Sequence, residues 1–320
     1  MPITQEVFVE AHPVRSASFL MVLLSEIRKF ITTPQLRILH PVARKVQAVM
    51  EPVGRLSVQR LPHFTHRVKN ESITIISANL WHDWPKHRQF TQRLESFAGM
   101  VRAENADVVL LQEVSRRQDF HVDRWLAENL GMAYVYSRAN GHEAGIGFEE
   151  GLAILSQYPI QNLYLQQLGS SANLFVRRLA MGVKVLSPGG PFAAISVHLG
   201  LLRRQNVSQL SHLYTWLNSV MGGLPVVIGG DFNSHENSPH ITHIRSAWLD
   251  TFRHLHPHAD GTTHELRAPW GSVIRRSRLD YIFLRSGKSK WKILETRHLD
   301  GSDGPHSDHR AVLTRLVLNG

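Results

Sequence analysis

The chain has 320 residues, 42% hydrophobic and 19% charged, with a formal net charge of +10 and no cysteine. This is ordinary globular composition, enough for one large domain or two smaller ones, and it excludes disulfides and thiolate metal sites. Any bound metal must therefore use oxygen or imidazole ligands.

The positive excess lies mainly in residues 1–70, where ten Lys/Arg stand against four acids. A basic surface suits anionic partners such as nucleic acid or phospholipid headgroups, and equally suits plain solubility. Within this extension Phe19, Leu20, Leu23, Leu24, Ile27 and Ile31 repeat at helical spacing, as do Leu39, Val42, Val46 and Val49. Two amphipathic helices are predicted, separated by TTPQ and HP. Packing on the main domain is their expected fate; attachment to an anionic membrane surface through residues 18–49 is the alternative, and no protein partner is predicted. The apolar run at 19–24 is far shorter than the ~20 residues of a membrane span. Only Arg15 precedes it and no small-residue cleavage site follows, so no secretory signal is expected and the cytoplasm is the favoured compartment.

Residues 71–320 form a second region in which strands and helices alternate. ITIISAN at 73–79 is a strand, Phe90, Leu94, Phe97 and Val101 mark one helix face, and ADVVLLQE at 106–113 is a second buried strand. GLAILSQYPI, LAMGVKVL and PFAAISVHL are three more strands, and Leu210, Leu213, Tyr214 and Leu217 are the stripe of another helix. In VVIGGD, at 226–231, the strand is expected to turn tightly at Gly229 and Gly230. RLDYIFLR, KWKILETR and RAVLTRLVL close the chain as strands. Helices between strands imply α/β layering, and the strand-rich middle and end imply some antiparallel pairing.

Polar residues recur where these strands end: Asn79, Glu113, His198 and Asp231, with Asp280 inside its strand and Asp308 and His309 just before the last one. One such residue is ordinarily a turn, a cap or a satisfied hydrogen bond. Six such events shift the odds toward a cleft. Glu113, Asn79 and Asp308 offer the hard oxygen ligands that suit Mg²⁺, with Mn²⁺ as a substitute. Phosphate-ester cleavage by water needs a base, charge stabilisation and help for the leaving oxygen, which the remaining acids, amide and imidazoles can supply without a covalent intermediate.

The ordered set Asn79, Glu113, His198, Asp231-Phe-Asn233, Asp280 and Ser307-Asp308-His309 resembles the endonuclease/exonuclease/phosphatase superfamily over roughly residues 72–320. The resemblance implies an α/β four-layered sandwich, two mixed β-sheets flanked by helices, carrying a metal-dependent phosphoesterase site at one end. It implies Glu113 as principal metal ligand with Asn79 and Asp308 beside it. Asp231 would orient or deprotonate the attacking water and Asn233 would hold the scissile phosphate. His309 would contact the phosphate, oriented by Asp280, while His198 would serve the leaving group as in the sphingomyelinase-like and DNase I-like branches. Trp81 and His198 stand where abasic-site nucleases carry an acid and a tyrosine, which speaks against that activity.

Arg177 and Arg204 are candidates for an anionic-substrate cleft, because Arg suits phosphate. The segment 264–281 is expected to include a loop over the site, from which Trp270 could stack on a base or sugar. His254, His256 and His258 read as a polar loop. The leading expectation is a Mg²⁺-dependent hydrolase of phosphodiester or phosphomonoester bonds, the diester favoured, acting on nucleic acid or phospholipid headgroups; the alternative is a non-catalytic binding module of the same fold attached to membrane or nucleic acid through its basic extension.

Overall fold

The computed structural model describes residues 41, 58–59, 72–169 and 176–319. Residue 41 apart, the helices expected in residues 18–49 lie outside the described residues. In chain order the elements begin with β1 (Val58–Gln59), β2 (Ser72–Asn79), α1 (Phe90–Ala103), β3 (Val108–Arg117), β4 (Phe120–His121), α2 (Val122–Leu130), β5 (Ala133–His142), α3 (Glu143–Ile146) and β6 (Phe148–Ser156). Then come β7 (Ile160–Leu168), β8 (Arg178–Ser187), β9 (Gly190–His198), α4 (Arg203–Val220), β10 (Val226–Asp231), α5 (Pro239–Arg245), β11 (Leu249–Asp250) and α6 (Thr251–Leu255). The last are β12 (His264–Arg267), β13 (Val273–Ser277), β14 (Asp280–Arg285), β15 (Lys290–Leu299) and β16 (Ala311–Asn319).

They build two mixed sheets and a separate hairpin. The first sheet has the order β1-β5-β6-β3-β2-β16-β15, with β4 beside β3; the second is β11-β14-β10-β9-β8-β7; β12 and β13 pair only with each other. The central strands are continuously apolar because both of their faces are covered. Between the sheets, Ile75, Val108 and Leu110 meet Met181, Val183 and Val227. Outside the first sheet, Val109 and Leu111 pack on Phe97 and Val101 of α1 and Leu126 of α2. Outside the second, Ile195 and Ile228 pack on Leu210, Leu213 and Leu217 of α4. The result is the expected four-layered α/β sandwich, in which full burial of a side chain such as Phe97 is worth ~1.5–3 kcal/mol. Among the described residues no helix is long and apolar enough to cross a membrane.

Three expectations require correction. GLAILSQYPI is not one strand: β6 ends at Ser156 and Ile160 opens β7 in the other sheet. The Ser156 side chain explains the break, since its hydroxyl accepts from the Tyr158 N–H and donates to the Tyr158 carbonyl, closing a local turn. Gly229 and Gly230 are not a turn either but strand residues of β10. A Cβ on Gly230 would stand 2.0 Å from the Val197 carbonyl oxygen, and one on Gly229 would stand 2.7 Å from Leu110 Cδ1 of the facing sheet. Close approach, not chain reversal, selects glycine at both positions. Glu113 does not end its strand: β3 continues to Arg117, and its register against β6 shifts between Leu111 and Val114.

Candidate active site

Strand direction brings the polar residues to one end of the sandwich. β2 and β3 run parallel, so Asn79 and Glu113 lie toward the same end of the first sheet; β9 and β10 run parallel in the second, with His198 paired to Asp231. β14 runs antiparallel to β10 and therefore opens there, with Asp280 opposite Asp231. β16 runs antiparallel to β2, which leaves Asp308 and His309 just ahead of its start.

Glu113 occupies the β-bulge of β3 with φ of 53°, a left-handed conformation costly for a non-glycine residue. Its carboxylate accepts from the His82 backbone N–H at 3.3 Å and from Asn79 Nδ2 at 3.2 Å. The Asn79 amide also donates to Asp231 Oδ2 at 3.1 Å, while its Oδ1 accepts from the Trp81 N–H at 3.0 Å. Asn79 thus ties the two sheets together at the site. The guanidinium groups of Arg88 and Arg93 lie over the Trp81 ring, 5.1 and 4.8 Å from its centre. Arg93 in turn donates to the carbonyls of Leu80 and His306, anchoring the segment that carries Asp308.

Asp231 is buried and accepts from the Asn233 backbone N–H at 2.8 Å and from Asn233 Nδ2 at 3.2 Å. That amide also donates to the Leu199 carbonyl at 2.9 Å, and Asn233 holds φ of 48°, which Asn tolerates. Burial, reinforced by the Asp280 carboxylate, raises the Asp231 pKa. His309 Nδ1 lies 2.8 Å from Asp280 Oδ2. Burial works against the imidazolium of His309, but the charges of Asp280 and Asp231 and the Asp280 hydrogen bond outweigh it, raising its pKa to about 10. His198 behaves oppositely: burial, and then the Arg178 guanidinium, hold it well below the ordinary histidine range. It is neutral, with Arg178 Nη1 3.1 and 3.2 Å from its ring nitrogens and Asp231 Oδ2 3.6 Å from its Nε2.

Ligand atoms of Asp231, Asp280 and His309 lie within 4.8 Å of one another, as do those of His264, Asp308 and His309. Glu113 belongs to neither group. The donor set nonetheless fits a hard divalent cation, which takes few protein ligands and keeps several waters. The Glu113 carboxylate is partly open, and among the described residues its ion-pair partner is only a histidine, His82, at 3.5 Å. Among the described residues buried Asp280 Oδ1 has no hydrogen-bond partner. Asp308 is exposed at the site mouth. For Asn79 to act as a ligand its amide oxygen must turn from Trp81 toward the carboxylates.

Of the substrate-binding candidates, Arg177 and Arg204 come together in a cleft of about 270 Å³ with Gln205, Ser208 and Gln209. Arg177 is buried and its Asn140 contact fixes its backbone at 2.6 Å. Its neighbour Arg178, rather than Arg177, touches a strand-end residue. Trp270 is 82% exposed at the turn of the β12/β13 hairpin, so packing does not account for it. His256 Nε2 contacts the Thr296 carbonyl at 2.9 Å and belongs to packed structure, whereas His254 is exposed on α6 and His258 is exposed in the loop that follows. His264 was not foreseen. It bridges to His309 in backbone pairing, and the ring centres are 4.6 Å apart. Its only signal is that pairing across 45 positions, which no local pattern reports.

Two face-to-face mixed sheets with acids, amides and a charged imidazole at one common end define the class. The chain belongs to the Endonuclease/Exonuclease/phosphatase family, which it matches over residues 76–309. Members are typically hydrolytic phosphoesterases and generally depend on a divalent metal. Among individual proteins, the chain is 28% identical over 170 residues to the uncharacterized protein YbhP of Escherichia coli (strain K12), a match covering 49% of this chain and 65% of that one. Its fold is similar to that of an endonuclease/exonuclease/phosphatase family protein from Leptotrichia buccalis, with TM-score 0.64, 19% identity, and 76% and 99% of the two chains covered. It is likewise similar to the human Nocturnin catalytic domain solved with a bound sulfate anion, with TM-score 0.62, 18% identity, and 78% and 94% covered.

Proposed function

We propose that the chain hydrolyses phosphate esters, phosphodiesters in preference, by direct attack of water held at Asp231. The observation that carries this reading is the close approach of two buried groups whose raised pKa values stay well apart, about 7 for the Asp231 carboxylate and about 10 for the His309 imidazolium beside Asp280, their ligand atoms within 4.8 Å. Such pairs separate the roles of base and charge stabiliser. The raised pKa makes Asp231 a stronger base, and the Asn233 and Asn79 contacts fix its orientation.

Asp280 occupies His309 Nδ1, which leaves the Nε2–H of the imidazolium to donate to a non-bridging phosphate oxygen. Asn233 supplies a second donor once its amide turns from the Leu199 carbonyl. His198 is neutral beside Arg178, and the ring N–H that it keeps donates a hydrogen bond to the leaving oxygen. Glu113, with Asn79 and Asp308, would hold Mg²⁺ or Mn²⁺, which would supply charge neutralisation at the phosphate. Arg177 and Arg204, in their shared cleft, offer cations to an anionic part of the substrate beyond the scissile bond. The likeness to Nocturnin, whose structure carries a sulfate anion, supports a tetrahedral oxyanion as the ligand.

Hydrolysis of bis-p-nitrophenyl phosphate and of a phosphomonoester, with and without Mg²⁺, tests the proposal. Metal-dependent turnover that falls by at least ~10²-fold in Asp231→Asn is expected. Near-normal turnover by that variant removes Asp231 from its assigned role.

A further inference from the structure

We propose that the rim of this site is a membrane-docking face, seated on an anionic phospholipid surface, from which the site draws a headgroup phosphate ester. The second half rests on the phosphoesterase reading; the first does not. Among the described residues, six large apolar side chains are more than half exposed: Trp84, Val176, Leu201, Leu202, Trp270 and Ile274. All six lie on segments adjoining site residues, and none lies at the opposite end of the sandwich.

Trp84 follows Asn79 in the loop that also sends the His82 N–H to Glu113. Val176 precedes Arg178, which touches His198. Leu201 and Leu202 follow Leu199, whose carbonyl receives Asn233. Trp270 and Ile274 belong to the hairpin whose first residue, His264, lies against His309. Exposed apolar side chains scattered singly need no explanation, but concentration of the most exposed ones around one functional site does.

The charge pattern identifies the partner. Leu201 and Leu202 run directly into exposed Arg203 and Arg204, and Ile274 into exposed Arg275 and Arg276. The acids on these same segments are engaged: Asp83 pairs with Arg88, and Glu265 with Arg267 and Arg276. A rim of aliphatic and indole side chains alternating with arginine matches an interface of acyl carbons and anionic headgroups. A nucleic acid would use the tryptophans and arginines but gives the branched aliphatic chains of Val176, Leu201, Leu202 and Ile274 nothing to bury against.

Sedimentation of the full chain with phosphatidylcholine vesicles, with and without phosphatidylglycerol, tests the inference. Co-sedimentation that strengthens with phosphatidylglycerol is expected. Leu201→Ser combined with Ile274→Ser should weaken it by roughly tenfold or more, since both side chains would leave the apolar layer. Turnover of bis-p-nitrophenyl phosphate by that variant should stay unchanged. Absence of vesicle binding by the wild-type chain overturns the docking face, as does undiminished binding by the double variant, which would assign the affinity to residues 1–70. Loss of affinity for a single-stranded oligonucleotide in that variant, with no vesicle binding by either protein, would assign the rim to nucleic acid. Vesicle binding that depends on Leu201 and Ile274 without any phosphate-ester turnover upholds the docking face and overturns the headgroup chemistry alone.

Discussion

Gly230 allows one methyl group to test both the packing and the site. In β10 it pairs with Val197 on one side and Tyr281 on the other, and it directly precedes Asp231. A Cβ there would stand 2.0 Å from the Val197 carbonyl oxygen and 2.7 Å from Val197 Cγ2. Ordinary non-bonded contacts lie near ~3.5 Å, so relief requires a shift of roughly 1 Å or more. The obstructing atom is backbone, and β9 and β10 must part just where His198 faces Asp231. Overpacking of this kind costs ~1–3 kcal/mol. Misplacement by ~1 Å near reacting groups costs about 10²-fold in rate. Urea unfolding and bis-p-nitrophenyl phosphate turnover of Gly230→Ala read the two effects. Gly229→Ala is the comparison, because its methyl would meet side-chain atoms, Leu110 Cδ1 at 2.7 Å and Ser77 Cβ at 2.9 Å, which can partly give way. It should lose stability but keep most of its turnover. Wild-type midpoint and wild-type rate in Gly230→Ala would refute the reasoning.

Three further outcomes are expected. Asp280→Asn removes the carboxylate that favours the His309 imidazolium; since a raised histidine pKa stabilises the native state fully below the unfolded value and that contribution is lost as pH rises toward about 10, the alkaline limb of both stability and turnover should move to lower pH. A pH profile identical to wild type would contradict this. Asp250→Ala strips the buried Arg278 of a bidentate partner at 2.6 and 2.8 Å and should cost ~3–5 kcal/mol in urea unfolding, with part regained by Arg278→Met in the same background. Glu113→Gln should raise the Mg²⁺ concentration needed for turnover while leaving metal-free thermal stability near wild type; equal metal dependence would take Glu113 out of the ligand set.

What could be read from the sequence follows from how completely each element is buried. β2, β3, β9, β10 and β16 are covered on both faces, so their apolar runs announce them. β7, IQNLYLQQL, lies at a sheet edge with most of its length only partly covered, and β12 and β13 pair outside both sheets; none carries a pattern that distinguishes it from a loop. β5 is hard to read for a related reason, since its second half, RANGH, is only partly covered apart from Ala139 and carries a register shift opposite Gly151. In the site, Asp231 and Asn233 were legible because they follow a strand that must be buried. The conformation of Glu113 was not, because a bulge is a relation between two strands. The same holds for His264 and for the role of Gly230, each fixed by a neighbour far away in sequence.

Strand direction explains which kind of polar signal to expect. Each sheet contributes two parallel strands and one antiparallel neighbour to the site: β2, β3 and β16 in the first, β9, β10 and β14 in the second. A strand running toward the site delivers its polar group after the apolar run, as Asn79, His198 and Asp231 do. A strand running away must deliver it before, as Asp280 and the Asp308-His309 pair do. The position of the polar residue relative to its strand therefore encodes the strand's direction, provided that all of them serve one cleft. The close approach of ligand atoms from Asp231, Asp280 and His309, drawn from both sheets and from strands of both directions, meets that condition.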